Sequence, residues 1–212
     1  MIARNPMAGQ LLPLFPLQVV LFPGSALPLH IFEERYKQLI GECLREGAEF
    51  GINLADGKTV SPIGCTAIVR SVRRRYDDGR MDIVVEGRRR YRLEEFFDDR
   101  APYPVGSVRF IAEPEEAVDL ALAEQTVGLY EALVAVVYKE GLRDRLPSPD
   151  AREVSFVIAQ KAGLDLQQRQ GILEIESEND RLRALKAHLT DVIPKLRQFE
   201  EVERVIRSDG YL

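Results

Sequence analysis

The sequence has little cysteine or histidine and no tryptophan. Its two cysteines, Cys43 and Cys65, lie far apart among apolar neighbours, so we expect buried thiols in a reducing compartment and no disulfide framework. The two histidines, His30 and His188, fall in different halves of the chain, and no Cys or His pair has the spacing of zinc ligands. We therefore expect no transition-metal site.

Long apolar runs and a strong charge of one sign are also absent. Residues 1–10 lack the apolar core of a secretory signal, and no uncharged apolar stretch reaches the ~20 residues of a membrane span. These absences predict a cytoplasmic protein with no membrane partner. The net charge is -5, with 16 basic and 15 acidic residues through Glu113 and 13 and 19 after it. Because neither half is basic, nucleic acid is a disfavoured partner.

The common catalytic motifs are missing. Neither the phosphate-binding patterns G-x-x-x-x-G-K-[ST] and G-x-G-x-x-G nor the nucleophile motif G-x-S-x-G occurs. A cysteine nucleophile with His30 as its base would need hydrogen-bond reach between residues that are distant in sequence, and their co-occurrence is more simply a coincidence. The sequence therefore predicts no catalytic residues, no cofactor and no enzymatic activity.

The first half of the chain contains short β-type segments separated by turn signals. One amphipathic helix is predicted from about Glu33 to Arg45, where apolar residues recur at helical spacing. Asp77-Asp78-Gly79 is a hairpin turn signal, and Gly87 is expected to interrupt the strand that follows. These segments predict a small, mostly antiparallel sheet or barrel. Its strands are expected at Phe50 to Leu54, Cys65 to Val72, Met81 to Val85, Arg88 to Phe97 and Tyr103 to Ile111.

The second half reads as helical. Its composition changes at Glu113-Pro114, which predicts a β-rich domain of residues 10–113 and a helical domain of residues 114–212. The first helix is expected to end at Gly141. Capping pairs at later helix starts are predicted for Asp150 with Glu153, Asp165 with Gln168, and Ser177 with Asp180.

The last helix should run toward Ile206 and carry a heptad-like apolar seam. Internal packing of this seam is the favoured interpretation, and contact with a second chain is the alternative, which predicts a monomer or a weak dimer through the C-terminal helix. Pro194 should kink the helix. The seam consists of Leu182, Leu185, Leu189, Val192, Leu196 and Phe199.

Arginines cluster around the predicted hairpin and suggest one candidate binding surface. Basic residues interleaved with tyrosines are typical of proteins that bind single-stranded nucleic acid. Acidic residues are equally dense nearby, however, so a solvated, self-compensated surface is the favoured interpretation. The candidate RNA-binding residues are Arg73, Arg75, Arg88, Arg90 and Tyr91.

A proline-broken apolar segment, Leu12 to Phe32, suggests a second surface. Most of it must be core, but a segment with four prolines cannot pair fully in a sheet. Part of it could line an apolar groove of the kind that binds peptides. The candidate peptide-binding residues are Phe22, Pro23 and Leu27.

Several sequence blocks together resemble a known family. The first are Leu12-Pro13-Leu14-Phe15-Pro16-Leu17, Val20-Leu21-Phe22-Pro23-Gly24 and Pro28-Leu29-His30-Ile31-Phe32-Glu33-Glu34-Arg35-Tyr36. Later blocks are Ile63-Gly64-Cys65-Thr66-Ala67, Gly87-Arg88-Arg89-Arg90-Tyr91-Arg92-Leu93, Gln170-Gly171-Ile172-Leu173-Glu174 and Arg181-Leu182. Across about residues 11 to 200, the chain resembles the N-terminal domain of Lon proteases.

This resemblance implies an α+β fold, in which a PUA-like β pseudo-barrel precedes a helical bundle that ends in a long C-terminal helix. It also implies a role in recognising protein substrates. The ATPase and Ser-Lys protease modules of Lon have no counterpart in this chain, so no catalytic residue carries over. The Gly87 to Leu93 positions are sheet positions in the family, which favours a self-compensated arginine cluster.

Two functional hypotheses follow. The leading one is a stand-alone, non-catalytic recognition domain that binds unfolded or apolar polypeptide segments as an adaptor. The alternative is an RNA-binding, PUA-like module that uses the arginine-rich hairpin, which rests on analogy of fold.

Overall fold

The computed structural model describes residues 9–57, 59–138, 147–149 and 153–208. The strands within these residues are β1 (Gln10–Pro13), β2 (Ala26–Ile31), β3 (Phe50–Ala55), β4 (Val60–Arg75), β5 (Met81–Phe97) and β6 (Val105–Phe110). The helices are α1 (Glu34–Glu46), α2 (Leu120–Tyr138), α3 (Val154–Ala159), α4 (Leu166–Glu174) and α5 (Glu178–Ser208).

The strands form one antiparallel sheet that closes on itself. Hydrogen-bonded neighbours follow the order β1-β6-β5-β4-β3, and β2 pairs with the first half of β5. The chain after β1 then returns to β3 through parallel bridges of Leu14 with Gly51 and of Leu17 with Leu54. This closure confirms the predicted α+β architecture, a mostly antiparallel barrel followed by helices.

Side chains that alternate along the strands fill the barrel. On β5, Met81, Ile83 and Val85 are buried and the residues between them are partly exposed, as the period of two in a strand requires. Helix α1 packs its apolar stripe on the same core, in line with the predicted periodicity. The buried residues of this stripe are Tyr36, Leu39, Ile40 and Cys43.

Strand β5 runs unbroken through Gly87, so the predicted interruption there is wrong. A side chain at this position would overlap the carbonyl of Phe22, because the turn before β2 lies directly against it. The Gly87 N–H donates to the Ser25 carbonyl, and the Gly24 N–H donates to the Gly87 carbonyl, both at 2.9 Å. The glycine therefore permits a close backbone approach and does not end the strand.

The chain divides into two compact units. Unit 1 contains Met1–Glu113 together with Asp165–Glu174, and unit 2 contains Pro114–Leu164 together with Ile175–Leu212. One unit boundary thus falls at the composition change after Glu113. Helix α4, however, groups with the barrel although it follows two helices of the other unit in sequence.

A buried arginine anchors α4 to the barrel. The Arg90 side chain, on β5, is fully buried and makes a two-pronged ion pair with Glu113, at 2.7 Å and 2.9 Å. Its remaining Nη1 donates to the Leu173 carbonyl near the end of α4, at 2.8 Å. A buried guanidinium is tolerated only when its donors are satisfied, so this arrangement fixes three segments of the chain to one point.

Two further side chains of α4 reach the barrel. The buried Gln170 donates from Nε2 to the Ile63 carbonyl, at 3.1 Å. Arg169 donates to the Val20 carbonyl at 3.3 Å and stacks its guanidinium over the Phe22 ring, 5.0 Å from the ring centre. Burial lowers the pKa of Arg169.

Unit 2 has its own apolar core and its own buried arginine. Arg181 on α5 donates to the Ser155 hydroxyl at 2.9 Å and to Glu178 at 2.8 Å. It also donates to the carbonyls of Ile175 and Glu176, both at 2.9 Å. Glu178 in turn accepts from the Ser155 N–H at the start of α3, at 2.9 Å, so α5 supplies the cap of that helix.

The predicted capping pairs have different outcomes. Asp165 and Gln168 exchange reciprocal bonds at 3.0 Å and 2.8 Å, and the Asp180 N–H donates to the Ser177 hydroxyl at 3.1 Å, so both are confirmed. Asp150 and the expected stop at Gly141 lie outside the described residues. Glu153 makes no side-chain cap on α3.

The apolar seam of α5 is buried only in its first half. Leu182, Leu185 and Leu189 are fully buried, which agrees with internal packing. Helix α5 continues through Pro194 to Ser208. Beyond Pro194, Phe199 is 66% exposed, and contact of this part with a second chain stays a prediction.

Helix α2 is long and apolar enough, by length and composition alone, to cross a membrane. The window Leu120–Val137 has a mean hydropathy of 1.5, although it includes Glu124 and Glu131. The helix packs against α5 within unit 2 and buries Val127 and Leu133. A core helix meets the same criterion, so this feature is weak support for a membrane span.

Replacing Arg90 by Met should lower the free energy of unfolding by about 3 kcal/mol, because Glu113 and the Leu173 carbonyl lose their partner. The matched control is Arg88→Met on the same strand, where an exposed pair with Glu86 contributes less than about 1 kcal/mol. Urea denaturation of the three proteins measures both values. Equal losses in the two variants would contradict the role given to Arg90.

Candidate polypeptide-binding groove

The structure does not gather the arginines predicted to bind RNA on one surface. Arg90 and Tyr91 are 1% and 0% exposed, so their assignment to a binding surface is corrected. Tyr91 instead donates its hydroxyl to the buried side chain of Asn53. Arg73 and Arg75 are exposed near the end of β4, and Arg88 pairs with Glu86.

Most arginines near the hairpin have acidic neighbours. Glu86 pairs with Arg70 at 2.6 Å and with Arg88 at 3.0 Å, and these arginines lower the pKa of its carboxyl. Arg89 pairs with Glu49, and Arg80 pairs with Asp78. The surface is therefore largely self-compensated, as the sequence favoured.

Of the residues predicted to line a peptide groove, Phe22 and Pro23 are corrected as well, and Leu27 stays a prediction. Phe22 and Pro23 are buried, and Leu27 is half-buried against the barrel core. The surface above Phe22 is covered by Arg169 of α4. Sequence alone could not show this, because Arg169 follows Phe22 by well over a hundred residues and belongs to the predicted helical domain.

An open groove lies elsewhere in unit 1, at the point where the chain leaves β1. Its volume is about 440 Å³. Apolar side chains supply most of the described lining, which includes one formally charged side chain, that of Arg35. The lining residues are Pro16, Leu17, Gln18, Arg35, Tyr36, Ala55, Gly57, Thr59, Val60, Phe96 and Pro104.

The barrel closure builds one wall of this groove. Leu17 is fixed because its N–H donates to Asn53 at 3.0 Å and its carbonyl accepts from Ala55 at 2.8 Å. The Tyr36 ring stacks on Phe15, with 3.9 Å between ring centres, which joins α1 to the same segment. Burial raises the pKa of Tyr36.

The cationic side of the groove comes from Arg35 at the start of α1. Its guanidinium lies 4.6 Å from the centre of the Tyr36 ring and pairs with Glu33 at 2.8 Å. About half of the side chain is exposed. The guanidinium is thus held in place while part of it still faces solvent.

A hydrogen bond holds the loop that contributes Pro104. The neighbouring Tyr103 donates its hydroxyl to Glu42 of α1. Burial, and then this bond, raise the pKa of Tyr103 to about 12, and the same bond lowers the pKa of Glu42. The contact ties the loop before β6 to the helix that carries Tyr36.

Pro16 and Leu17 of the proline-broken segment line this groove, although the residues that the sequence singled out in that segment do not. Phe96 and Pro104 carried no sequence signal, because single apolar residues in strands are ordinary core candidates. Phe96 is nevertheless 42% exposed. Phe96 and Pro16 line the same groove only because the sheet closes into a barrel.

The described residues that line the groove include no set of catalytic groups. Cys43 and Cys65 are buried in the core of unit 1, whereas His30 lies on the surface and bonds to Asp82 at 2.6 Å. Burial raises the pKa of Cys43 to about 11, so this thiol is not ionised at neutral pH. Among the described residues, no three His, Cys, Asp or Glu side chains are grouped to hold a metal ion.

A closed, mostly antiparallel barrel followed by helices, with an apolar groove in the barrel wall, defines a PUA-like α+β domain. A family model described as the ATP-dependent protease La (LON) substrate-binding domain matches residues 11–191. The chain belongs to this family, which confirms the resemblance seen in the sequence. The model is that of the substrate-binding domain and not of the ATPase or protease domains.

Individual relatives agree with this assignment. The chain is 23% identical to the Lon protease of Dictyoglomus thermophilum over 94% of its own length, and it spans only 27% of that relative. The crystal structure of a Lon N-terminal domain protein from Xanthomonas campestris is 25% identical, with a TM-score of 0.66 over 84% of this chain and 98% of that one. The N-terminal domain of Mycobacterium avium complex Lon protease, 19% identical, shares the fold with the same TM-score over 86% and 99%.

Replacing Tyr103 by Phe should raise the pKa of Glu42 toward its ordinary value, because the hydroxyl is the largest cause of its lowering. A carboxyl with a lowered folded-state pKa stabilises the protein above its unfolded-state pKa, and this stabilisation is lost as the pH falls through the folded-state value. The wild type should therefore have the higher free energy of unfolding at neutral pH, and its advantage over the variant should become smaller at acidic pH. An NMR titration of Glu42 and urea denaturation at neutral and acidic pH measure both effects. An unchanged Glu42 pKa would contradict this account of the loop.

Proposed function

We propose that this protein binds polypeptide segments with exposed apolar side chains, in the groove lined by Leu17, Tyr36, Phe96 and Pro104. The observation that carries the proposal is the groove itself, an apolar concavity in a domain of the Lon substrate-binding family. Apolar grooves with few polar groups bind ligands by removing apolar surface from water.

The proposed role is recognition without chemistry, as in an adaptor that holds a polypeptide for another protein. The cysteine thiols are buried, and the described residues of the groove lining include one charged side chain, Arg35, and no nucleophile paired with a base. Two buried cysteines in a chain with no disulfide framework in its sequence suit a reducing compartment, and we propose a cytoplasmic location on that ground.

Binding of RNA is the weaker proposal. Burial of Arg90 and Tyr91 removes two of its five candidate residues, and Glu86 compensates the charge of a third, Arg88. Near the exposed Arg73 and Arg75, the Tyr76 ring that a base would stack on is already in contact with Arg74 and Arg80, and its hydroxyl donates to Asp82.

Replacing Phe96 by Ala should weaken binding of a fluorescent apolar peptide about tenfold, because a bound ligand would bury the exposed part of this ring. Fluorescence anisotropy measures the affinity. Since Phe96 is 42% exposed, the variant should retain most of its stability.

The matched control is Phe32→Ala. Phe32 is another exposed phenylalanine of unit 1, at 61%, and it does not line the groove. Its removal should leave peptide affinity within about twofold of wild type. Equal losses in both variants, or a shift of labelled single-stranded RNA where the peptide gives none, would refute the proposal.

A further inference from the structure

We propose that the groove takes its ligand as an extended strand, which pairs with the backbone of Pro16 and Gln18 and brings an acidic side chain to Arg35. This inference rests on the proposed function and adds to it the conformation and charge of the ligand.

The backbone of Leu17 shows which side of the segment is already occupied. Both of its hydrogen-bonding groups point to β3, since the N–H donates to Asn53 and the carbonyl accepts from Ala55. In a trans peptide, the carbonyl of one residue and the N–H of the next residue point in opposite directions. The backbone groups of Pro16 and Gln18 therefore point away from β3.

On that opposite side, the chain pairs with β6 only as far as Leu14. The last bond of this ladder joins the Leu14 N–H to the Pro104 carbonyl, at 2.8 Å. The chain on the β6 side then diverges, because Tyr103 bonds to Glu42 on α1. The position that a continued strand would occupy, beside Pro16 and Gln18, is left open.

One acceptor and one donor face this open position. Pro16 offers a carbonyl but no N–H, and Gln18 offers an N–H. Among the described residues, neither group has a hydrogen-bond partner. A ligand strand would satisfy both with its own N–H and carbonyl, as in other cases of strand addition to a sheet edge. A helical ligand would leave them unpaired, because its backbone bonds are already made internally.

The charge of Arg35 favours a ligand that has an acidic residue beside its apolar part. Among the described residues, Arg35 is the one charged residue in the groove lining, and its guanidinium is oriented by the Tyr36 ring and by Glu33. A guanidinium held in this way can donate its remaining N–H groups to a second carboxylate. An apolar strand with one acidic residue therefore complements the groove better than a neutral or basic strand.

Peptides with single N-methyl groups test the strand. The probe is a short, labelled peptide of Val, Leu and Ser with one Glu, acetylated and amidated so that the Glu is its only carboxylate. Methylation of the one amide that donates to the Pro16 carbonyl should weaken binding about tenfold, and methylation of any other amide should weaken it less than about twofold. If the peptides bind with the same affinity wherever the methyl group is placed, the proposed strand pairing is wrong.

The Arg35→Gln variant tests the charge with the same peptide and its Glu-to-Gln counterpart. It should bind the acidic peptide about tenfold more weakly and the neutral peptide within about twofold. The control Arg45→Gln removes another exposed, Glu-paired arginine of α1 and should change neither affinity. Equal effects on both peptides would overturn the acidic preference. Failure of all peptides to bind wild-type protein would instead refute the proposed function.

Discussion

The buried guanidinium of Arg90 is the interaction on which the architecture of unit 1 depends. A charge taken out of water must be paired and hydrogen-bonded, or the fold loses several kcal/mol. Arg90 satisfies this requirement with groups from two distant segments, the Glu113 carboxylate after β6 and the Leu173 carbonyl of α4. The barrel consequently keeps α4 as part of its wall, although the intervening helices belong to the other unit.

The position of α4 determines which apolar surface is free. Arg169 covers Phe22, so the middle of the proline-broken segment is buried. The earlier part, at Pro16 and Leu17, remains open beside Phe96 and Pro104. The same helix that completes the barrel wall therefore leaves the groove at the exit of β1 as the candidate recognition surface. Arg181 plays a comparable structural role in unit 2, where it joins the starts of α3 and α5.

Local patterns predicted much of the fold. The alternating strands, the stripe of α1, the Asp77-Asp78-Gly79 turn and two capping pairs depend on neighbouring residues and could be read directly from the sequence. The place of α4 could not, since it is decided by a contact between Arg90 and a carbonyl 83 residues away. An arginine within a basic run also looks exposed, and regular alternation would place Arg88 and Arg90 on the same face of β5. The irregularity in the β4–β5 pairing between Gly87 and Arg90 interrupts this alternation, so Arg90 is buried while Arg88 and Arg89 are exposed.

The candidate groove was predictable only in outline. Prolines indicated that part of the first segment would lack strand partners, but Phe96 reaches Pro16 through the closure of the barrel, which no local pattern records.

The central claim is that the groove binds polypeptide, and backbone amide chemical shifts recorded during titration with the acidic apolar peptide test it most directly. The account predicts the largest changes at Leu17, Gln18, Thr59 and Phe96. Changes confined to the exposed end of α5 around Phe199, or to the arginines of β4, would contradict it.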